Sequence, residues 1–336
     1  MRVAVCRPQV PFVRGGVEIF TDTLVDELRA RGVEAEIVSL PWVAWPNDRL
    51  AMSTMMWRLV DLGPDMEIPP DVVIATKFPS YLIKHPNKVV WLVHQLRAAY
   101  ELHGTEFGQF TDSRNDRSIR RGIQDLDRTS LGEARKLFAT SRNVAERLHR
   151  STRLTAEVLP HPPQELPYRC DGYGDFFLSV GRLDRSKRID LLLQAAELDP
   201  ALGVVVVGEG PERPRLEALA NGRVRFAGHV SEQELADLYA TCRAVFYAPL
   251  DEDFGMVPYE AFRAAKPVVT TRDAGGPLEV VQDGRNGRVV EPNPAAIASA
   301  LRELADDETV ARSLGTAGQA AAAAVTWDNA IAKLLA

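Results

Sequence analysis

The sequence predicts an α/β protein made of two successive doubly wound domains, each a parallel sheet wrapped on both faces by helices. Three observations carry this. Short β-branched runs recur between helical stretches, and a proline-rich stretch, Pro160-His161-Pro162-Pro163 through Pro167, interrupts the alternation once. The alternation then restarts, in a chain of 336 residues that exceeds what one hydrophobic core usually organises. The expected domains are 1–163 and 164–320, with a closing helix over 321–336.

In the first domain the strand-like runs are 3–6, 35–40, 72–75, 88–93, 137–140 and 156–159. The clearest helix covers about 17–31, with Ile19, Leu24 and Leu28 on one stripe and Gly32 as its stop. The proline-rich stretch is the expected linker. Beyond it the runs are 176–180, 203–207, 224–227, 244–247, 267–270 and 287–290. An alanine-rich tail over 317–325 leads to Thr326-Trp327-Asp328 and a last apolar helix, with Trp327 a core anchor. Ligands of such sheets bind at the carboxyl ends of the strands, so two facing domains make a cleft with both rims available.

Composition narrows the function classes. With 46% apolar and 26% charged residues the chain has an ordinary globular composition. A formal charge of −6 and a pI near 5.6 argue against general nucleic-acid binding. Cys6, Cys170 and Cys242 are scattered and odd in number, which supports neither a disulfide framework nor a zinc site and fits a reducing cytoplasm. The chain enters a strand-like run at Arg2 without the charged and apolar regions of a signal peptide, and no window reaches the roughly 18 apolar residues of a membrane-spanning helix.

The chemistry points first to Asp251-Glu252-Asp253-Phe254-Gly255-Met256-Val257-Pro258-Tyr259-Glu260, a loop turning into a helix. Gly255 allows close backbone approach, and Pro258 suits an early helical position, where its missing N–H would be unpaired anyway. Glu252 is then on the loop and Glu260 in the first turn, beside free backbone N–H groups and the positive end of the helix dipole, a setting that favours phosphate. Ordinary dipole complementarity explains Glu260 equally well on its own. Gly15-Gly16, after the first strand and before a helix, can let N–H groups approach an anion, or can be a plain turn. Gly181-Arg182-Leu183-Asp184-Arg185-Ser186-Lys187-Arg188 places cations just past a strand end, where a diphosphate would be gripped. His94 follows the apolar run 89–93, where it can meet a sugar hydroxyl or be a satisfied structural histidine. Gly208-Glu209-Gly210-Pro211 approaches a dinucleotide fingerprint but lacks its third glycine.

Together these residues resemble the retaining glycosyltransferases of family 4. The most specific elements are Gly181, Arg182 and Lys187; the Glu-x7-Glu pair Glu252 and Glu260; and Gly275-Gly276 followed by Asp283-Gly284-Arg285-Asn286-Gly287. The resemblance runs nearly the whole chain and implies the GT-B architecture, two facing Rossmann-like domains with an interdomain cleft, the first binding acceptor and the second the nucleotide-sugar donor. It also implies roles. Arg182 and Lys187 would bind the donor diphosphate, helped by N–H groups of Gly15-Gly16 and of the Phe254, Gly255, Met256 and Val257 turn. Glu260 would hold the ribose, Glu252 and His94 would sit by the transferred sugar, and the backbone around Val230 would flank the base. Fixed positive charge then stabilises a diphosphate leaving group, with no cofactor and no essential metal expected. Three departures stand out: Gln95 after His94 where the family often has Asp, Ala265 for a common Gly, and His161-Pro162-Pro163 for an Asn-Gly turn.

The expected function is transfer of a sugar from a UDP- or GDP-linked donor to an acceptor hydroxyl, in cell-surface polysaccharide, glycolipid or natural-product glycoside synthesis. The acceptor is a carbohydrate, a lipid-linked sugar or a small molecule. A GT-B nucleotide-sugar epimerase and a non-catalytic carbohydrate-binding protein are the alternatives; an NAD enzyme fits least, since neither domain has an intact glycine fingerprint. Trp42, Trp45, Met52, Met55, Met56 and Trp57, with Arg114, Arg117, Arg120 and Arg121, suit a core and a solvated face. They leave open a peripheral contact with the inner face of a membrane, while the expected location is cytoplasmic.

Overall fold

The structure, a computed structural model, describes residues 1–12 and 15–336. The chain divides into two compact units, 1–164 with 326–336, and 165–325.

The first unit is a six-stranded parallel sheet in the order β2-β1-β3-β4-β5-β6. Its strands are β1 Arg2–Gln9, β2 Glu34–Pro41, β3 Val72–Ala75, β4 Lys88–Leu92, β5 Lys136–Ala139 and β6 Glu157–Val158. Its helices are α1 Gly16–Ala30, α2 Asn47–Leu59, α3 Arg114–Gly132, α4 Arg142–Thr152 and, from the far end of the chain, α11 Trp327–Leu335. Because side chains alternate across a strand, the sheet feeds two cores. Ala4, Cys6, Val73, Ala75, Val90 and Leu92 face Leu50, Trp57, Tyr81, Leu131 and Leu148. Val3, Val5, Val72, Ile74, Val89 and Trp91 face Phe20, Leu24, Leu28, Trp327, Ile331 and Leu334. Trp327, Ile331 and Leu334 lie on one stripe of α11, so the last turns of the chain complete the first unit's core, with Trp327 the anchor expected.

The second unit is a six-stranded parallel sheet in the order β12-β11-β10-β7-β8-β9. Its strands are β7 Phe176–Val180, β8 Gly203–Val207, β9 Arg225–Gly228, β10 Ala244–Phe246, β11 Val268–Thr271 and β12 Gly287–Val290. Its helices are α5 Ile189–Leu198, α6 Arg213–Ala220, α7 Glu232–Thr241, α8 Val257–Arg263, α9 Pro294–Asp306 and α10 Glu308–Ala322. Leu178, Val205, Val207, Val245 and Val268 pack on one face with Tyr239 and Phe262. Phe177, Val204, Val206, Phe246 and Val269 pack on the other with Leu192 and Leu301.

The loops at the carboxyl ends of this sheet are stitched by backbone. A Cβ on Gly208 would lie 2.0 Å from the Gly181 carbonyl oxygen, and one on Gly210 would lie 2.3 Å from that of Leu183. The glycines of that loop therefore serve close approach to the loop after β7, with Leu183 N–H donating to the Glu209 carbonyl at 2.9 Å. Asp283 to Gly287 is a closed turn: buried Asn286 accepts from Gln282 N–H at 2.7 Å and donates to the Val280 carbonyl at 2.9 Å. The glycines and turn of these two motifs thus serve the packing of the fold.

Candidate active site

The turn after β7 begins at Gly181, whose φ of 150° suits glycine. Asp184 then caps a short 3-10 turn over Arg185–Lys187 by accepting from Ser186 N–H at 3.0 Å. This presents Lys187 toward the loop after β10. Its ammonium donates to Glu252 Oε2 and, at 3.4 Å, to the Tyr247 hydroxyl, which itself donates to the same carboxylate oxygen at 3.1 Å. Burial works against the Lys187 charge, but Tyr247, the Glu252 carboxylate and Asp184 together hold the ammonium well above the usual lysine range. Burial likewise pushes the Tyr247 hydroxyl far up, with the Glu252 charge adding to it. At neutral pH the cluster therefore sets a fixed cation and a fixed hydroxyl beside Glu252 at the strand ends. Arg182, expected to share the diphosphate, lies at the exposed rim and pairs with Asp184 at 3.1 Å.

The acid loop is itself backbone-paired. Asp251 N–H donates to the Asp273 carbonyl at 2.9 Å, Glu252 N–H to that of Ala274 at 2.8 Å, and Gly276 N–H to that of Glu252 at 2.8 Å. A Cβ at Gly276 would sit 2.6 Å from the Phe254 carbonyl oxygen, so the Gly275-Gly276 motif exists to let this loop pack. Gly255, with φ of 82°, then turns the chain into α8, with a Cβ there only 3.0 Å from the Tyr247 ring. Phe254 stacks on Tyr259, centroids 5.0 Å apart.

Glu260, in the first turn of α8, accepts from the Tyr239 hydroxyl at 2.7 Å. Burial raises its carboxyl above the usual range, and the Tyr239 bond and Arg263 pull the other way. Val230 and Met256 pack, partly buried, on the same apolar cluster as Tyr239, Phe254, Val257 and Tyr259. Lys187 and Glu252 are thus in direct contact, and Glu260 is bonded to Tyr239, a member of the apolar cluster that Val230 and Met256 pack against. Neither Tyr239 nor Tyr247 was visible as a site residue in the sequence, because each is an apolar-run tyrosine until the fold aims its hydroxyl.

In the first unit, Gly15 N–H donates to Glu18 Oε2 at 3.0 Å, so a carboxylate caps α1 where an anion was expected. Val13 and Arg14 of that loop lie outside the described residues. His94, just past β4, lines a small pocket with Leu92, Gln95, Arg97, Glu101, Val144 and Arg147. Its Nδ1 is 2.6 Å from the Gln95 carbonyl oxygen. The Gln95 amide donates at 2.9 Å to Asp127, a fully buried carboxylate that also accepts from Tyr81 and Tyr100. Asp127, on α3, thus holds the side chain of Gln95, the residue that follows His94. Among the described residues no group of three or more His, Cys, Asp or Glu side chains is placed to hold a metal.

Residues 171–321 match the family model of the glycosyl transferases group 1. Among curated relatives, a D-inositol 3-phosphate glycosyltransferase of Streptomyces avermitilis is 34% identical over 172 residues, 46% of this chain and 37% of that protein. The chain thus spans well under two thirds of that relative's length. Among solved structures, a sucrose-phosphate synthase from Thermosynechococcus elongatus superposes with a TM-score of 0.76 at 18% identity, covering 99% of this chain and 97% of that one. An Anabaena protein, HepE, solved in complex with UDP-glucose, gives 0.72 at 17% identity over 100% and 99% of the two chains. By sequence, residues 171–321 of the second unit are similar to the glycosyl transferases group 1, and by fold the chain has the GT-B architecture of two Rossmann-like domains.

Proposed function

We propose that the chain is a retaining glycosyltransferase of the family 4 type, moving a sugar from a UDP- or GDP-linked donor to the hydroxyl of a carbohydrate, lipid-linked or small-molecule acceptor, in the cytoplasm and without an essential metal. The observation that carries the reading is the Lys187–Tyr247–Glu252 cluster at the carboxyl ends of β7 and β10. A lysine held charged there is suited to the developing charge of a departing diphosphate, with Arg182 free to swing in from the rim. Glu260, fixed by Tyr239, suits the ribose hydroxyls, and Glu252 the transferred sugar. His94 keeps the sugar-contacting role that the resemblance implies. Retention is read, from the resemblance, as a same-face departure and attack in which the leaving phosphate takes the acceptor proton. UDP-glucose in the Anabaena neighbour supports a nucleotide-sugar donor.

A contact with a membrane surface belongs to the same reading. α2 presents Met52, Met55, Met56 and Leu59 to solvent at helical spacing, next to exposed Trp45, and α3 presents Arg114, Arg117 and Arg121. α2 and α3 are tied together at their amino-terminal ends by Asn47–Asp116 and Asn115–Asp48 hydrogen bonds of 2.8 and 3.0 Å. No helix among the described residues is long and apolar enough to cross a membrane. An exposed apolar stripe with cations on the neighbouring helix suits a protein that lies against anionic lipid.

The test is thermal melting with UDP, GDP, ADP and NAD, each with EDTA. Selective stabilisation by one nucleoside diphosphate is expected, about 2.7 kcal/mol at a hundredfold excess over Kd. Stabilisation by NAD alone, or by none, overturns the donor reading. Incubating the matching sugar nucleotide without acceptor then separates the alternatives, since an epimerase changes the sugar and a transferase does not.

A further inference from the structure

Arg188 follows Lys187 and adopts φ of 50°, the left-handed region that a side chain disfavours. A residue with a long cationic side chain at such a position needs compensation, and here the side chain supplies it. The half-buried guanidinium donates to the carbonyls of Ala248 and Pro249, each at 2.9 Å, and to Thr271 Oγ1 at 2.8 Å. It also forks onto both oxygens of Asp273 at 2.7 Å. Only a planar guanidinium can serve all of these acceptors at once. The acceptors come from the end of β10 and the end of β11. These are the two segments whose continuation pairs as Asp251 with Asp273 and Glu252 with Ala274. Leu250 N–H donates to the Ser186 carbonyl at 2.8 Å, closing the same loop onto the Lys187 turn.

We propose that Arg188 is the positioning residue of this site: it locks the loops after β10 and β11 together so that Glu252 meets the sugar end of the donor. The proposal rests on the donor reading above. Lys187 is also held by the Asp184-capped turn and Glu260 by Tyr239, so the nucleotide end of the site has anchors outside the clamp.

Two readouts test it on the full chain, with wild type, Arg188→Lys, Arg188→Gly and Asp273→Asn. Glycine relieves the backbone and removes the clamp, lysine keeps the charge without the fork, and asparagine leaves Arg188 in place while removing its charged partner. Amide hydrogen exchange at Asp251, Glu252 and Gly276 should speed up at least tenfold in all three variants, with the β7 and β8 amides unchanged. Exchange at wild-type rates overturns the clamp. Calorimetry with UDP, GDP, UDP-glucose and GDP-mannose should then show the bare nucleotide within about threefold of wild type and the matching sugar nucleotide weakened roughly tenfold or more. Equal change for nucleotide and sugar nucleotide, or change for neither, reduces Arg188 to a fold residue and overturns the positioning role. Wild-type protein that binds no nucleotide and no sugar nucleotide overturns the donor reading instead, with the exchange result standing on its own.

Discussion

Lys187 spends the free state bonded to the residue it is proposed to work beside. Its ammonium sits on Glu252 and Tyr247, so a donor diphosphate must draw it away, exchanging a carboxylate partner for a phosphate one. This makes the two side chains unequal under mutation. Lys187→Ala should weaken nucleoside diphosphate binding by about 2 kcal/mol, roughly 30-fold, the worth of a charge-assisted bond. Glu252→Ala should leave that binding unchanged or tighter, because Lys187 no longer has a competing anion, yet cut transfer by roughly 100-fold or more. Calorimetry beside a donor-consumption assay reads both, and equal loss of nucleotide affinity in the two variants defeats the division of roles. Lys187, Glu252 and Glu260 were legible in the sequence because strand-end loops are local and their residue types are rare in such runs. Tyr239, Arg188 and Asp127 were not, since their partners lie 21 or more residues away, and Tyr247 was not, because its contact with Lys187 spans 60 residues; only tertiary contact gives them a role. Ala265 was legible as a departure, and the structure supplies its meaning: it holds φ of 53°, where glycine is cheaper by about 1 kcal/mol.

At the scale of elements, the expected strands are all present, within a few residues of their expected places, because buried parallel strands are near-continuous apolar runs bounded by turns. The tryptophan and methionine span after β2 read less well. Trp57 and Leu50 are in the core, as such residues usually are, but Met52, Met55, Met56 and Leu59 form a second apolar stripe on the same helix, and Leu59 is 79% exposed. Periodicity alone cannot rank two apolar stripes on one helix; the polar Asn47, Ser53 and Thr54 on the buried face hid which one turned inward. The exposed stripe beside the α3 arginines should bring the protein onto vesicles of mixed phosphatidylcholine and phosphatidylglycerol, and less onto phosphatidylcholine alone. Met55→Glu with Leu59→Glu should weaken that partition roughly tenfold or more while leaving the melting temperature within a few degrees. Flotation that is indifferent to both lipid charge and these substitutions would remove the membrane contact.

The chain as a whole carries two buried ionisable groups in its first unit whose pH responses oppose one another. Burial pushes the Asp127 carboxyl up to about 6 from 3.8, against the bonds from Tyr100, Gln95 and Tyr81 that favour its charge. A raised carboxyl binds its proton more tightly folded than unfolded, so its contribution to stability is full below pH 3.8 and is lost as pH rises through 6, about 3 kcal/mol in all. Burial pushes the His161 ring down to about 4 from 6.5, with the Pro162 carbonyl acting the other way. A depressed histidine is bound less tightly by protons when folded, so its contribution is full above pH 6.5 and is lost as pH falls through 4, again about 3 kcal/mol. His161 packs on Phe20, with ring centroids 4.4 Å apart, in the core that Trp327 closes; Asp127 lies on the other face of the same sheet. Between pH 4 and 6 the two terms nearly cancel, and single substitutions should uncover each. His161→Gln should lose stability relative to wild type as pH rises from 4 to 6, and Asp127→Asn should gain it over the same range. Urea midpoints followed by tryptophan fluorescence from pH 4 to 7 test the pair: the two difference curves should slope in opposite directions, and curves parallel to wild type for both variants would show that neither group titrates where its burial places it.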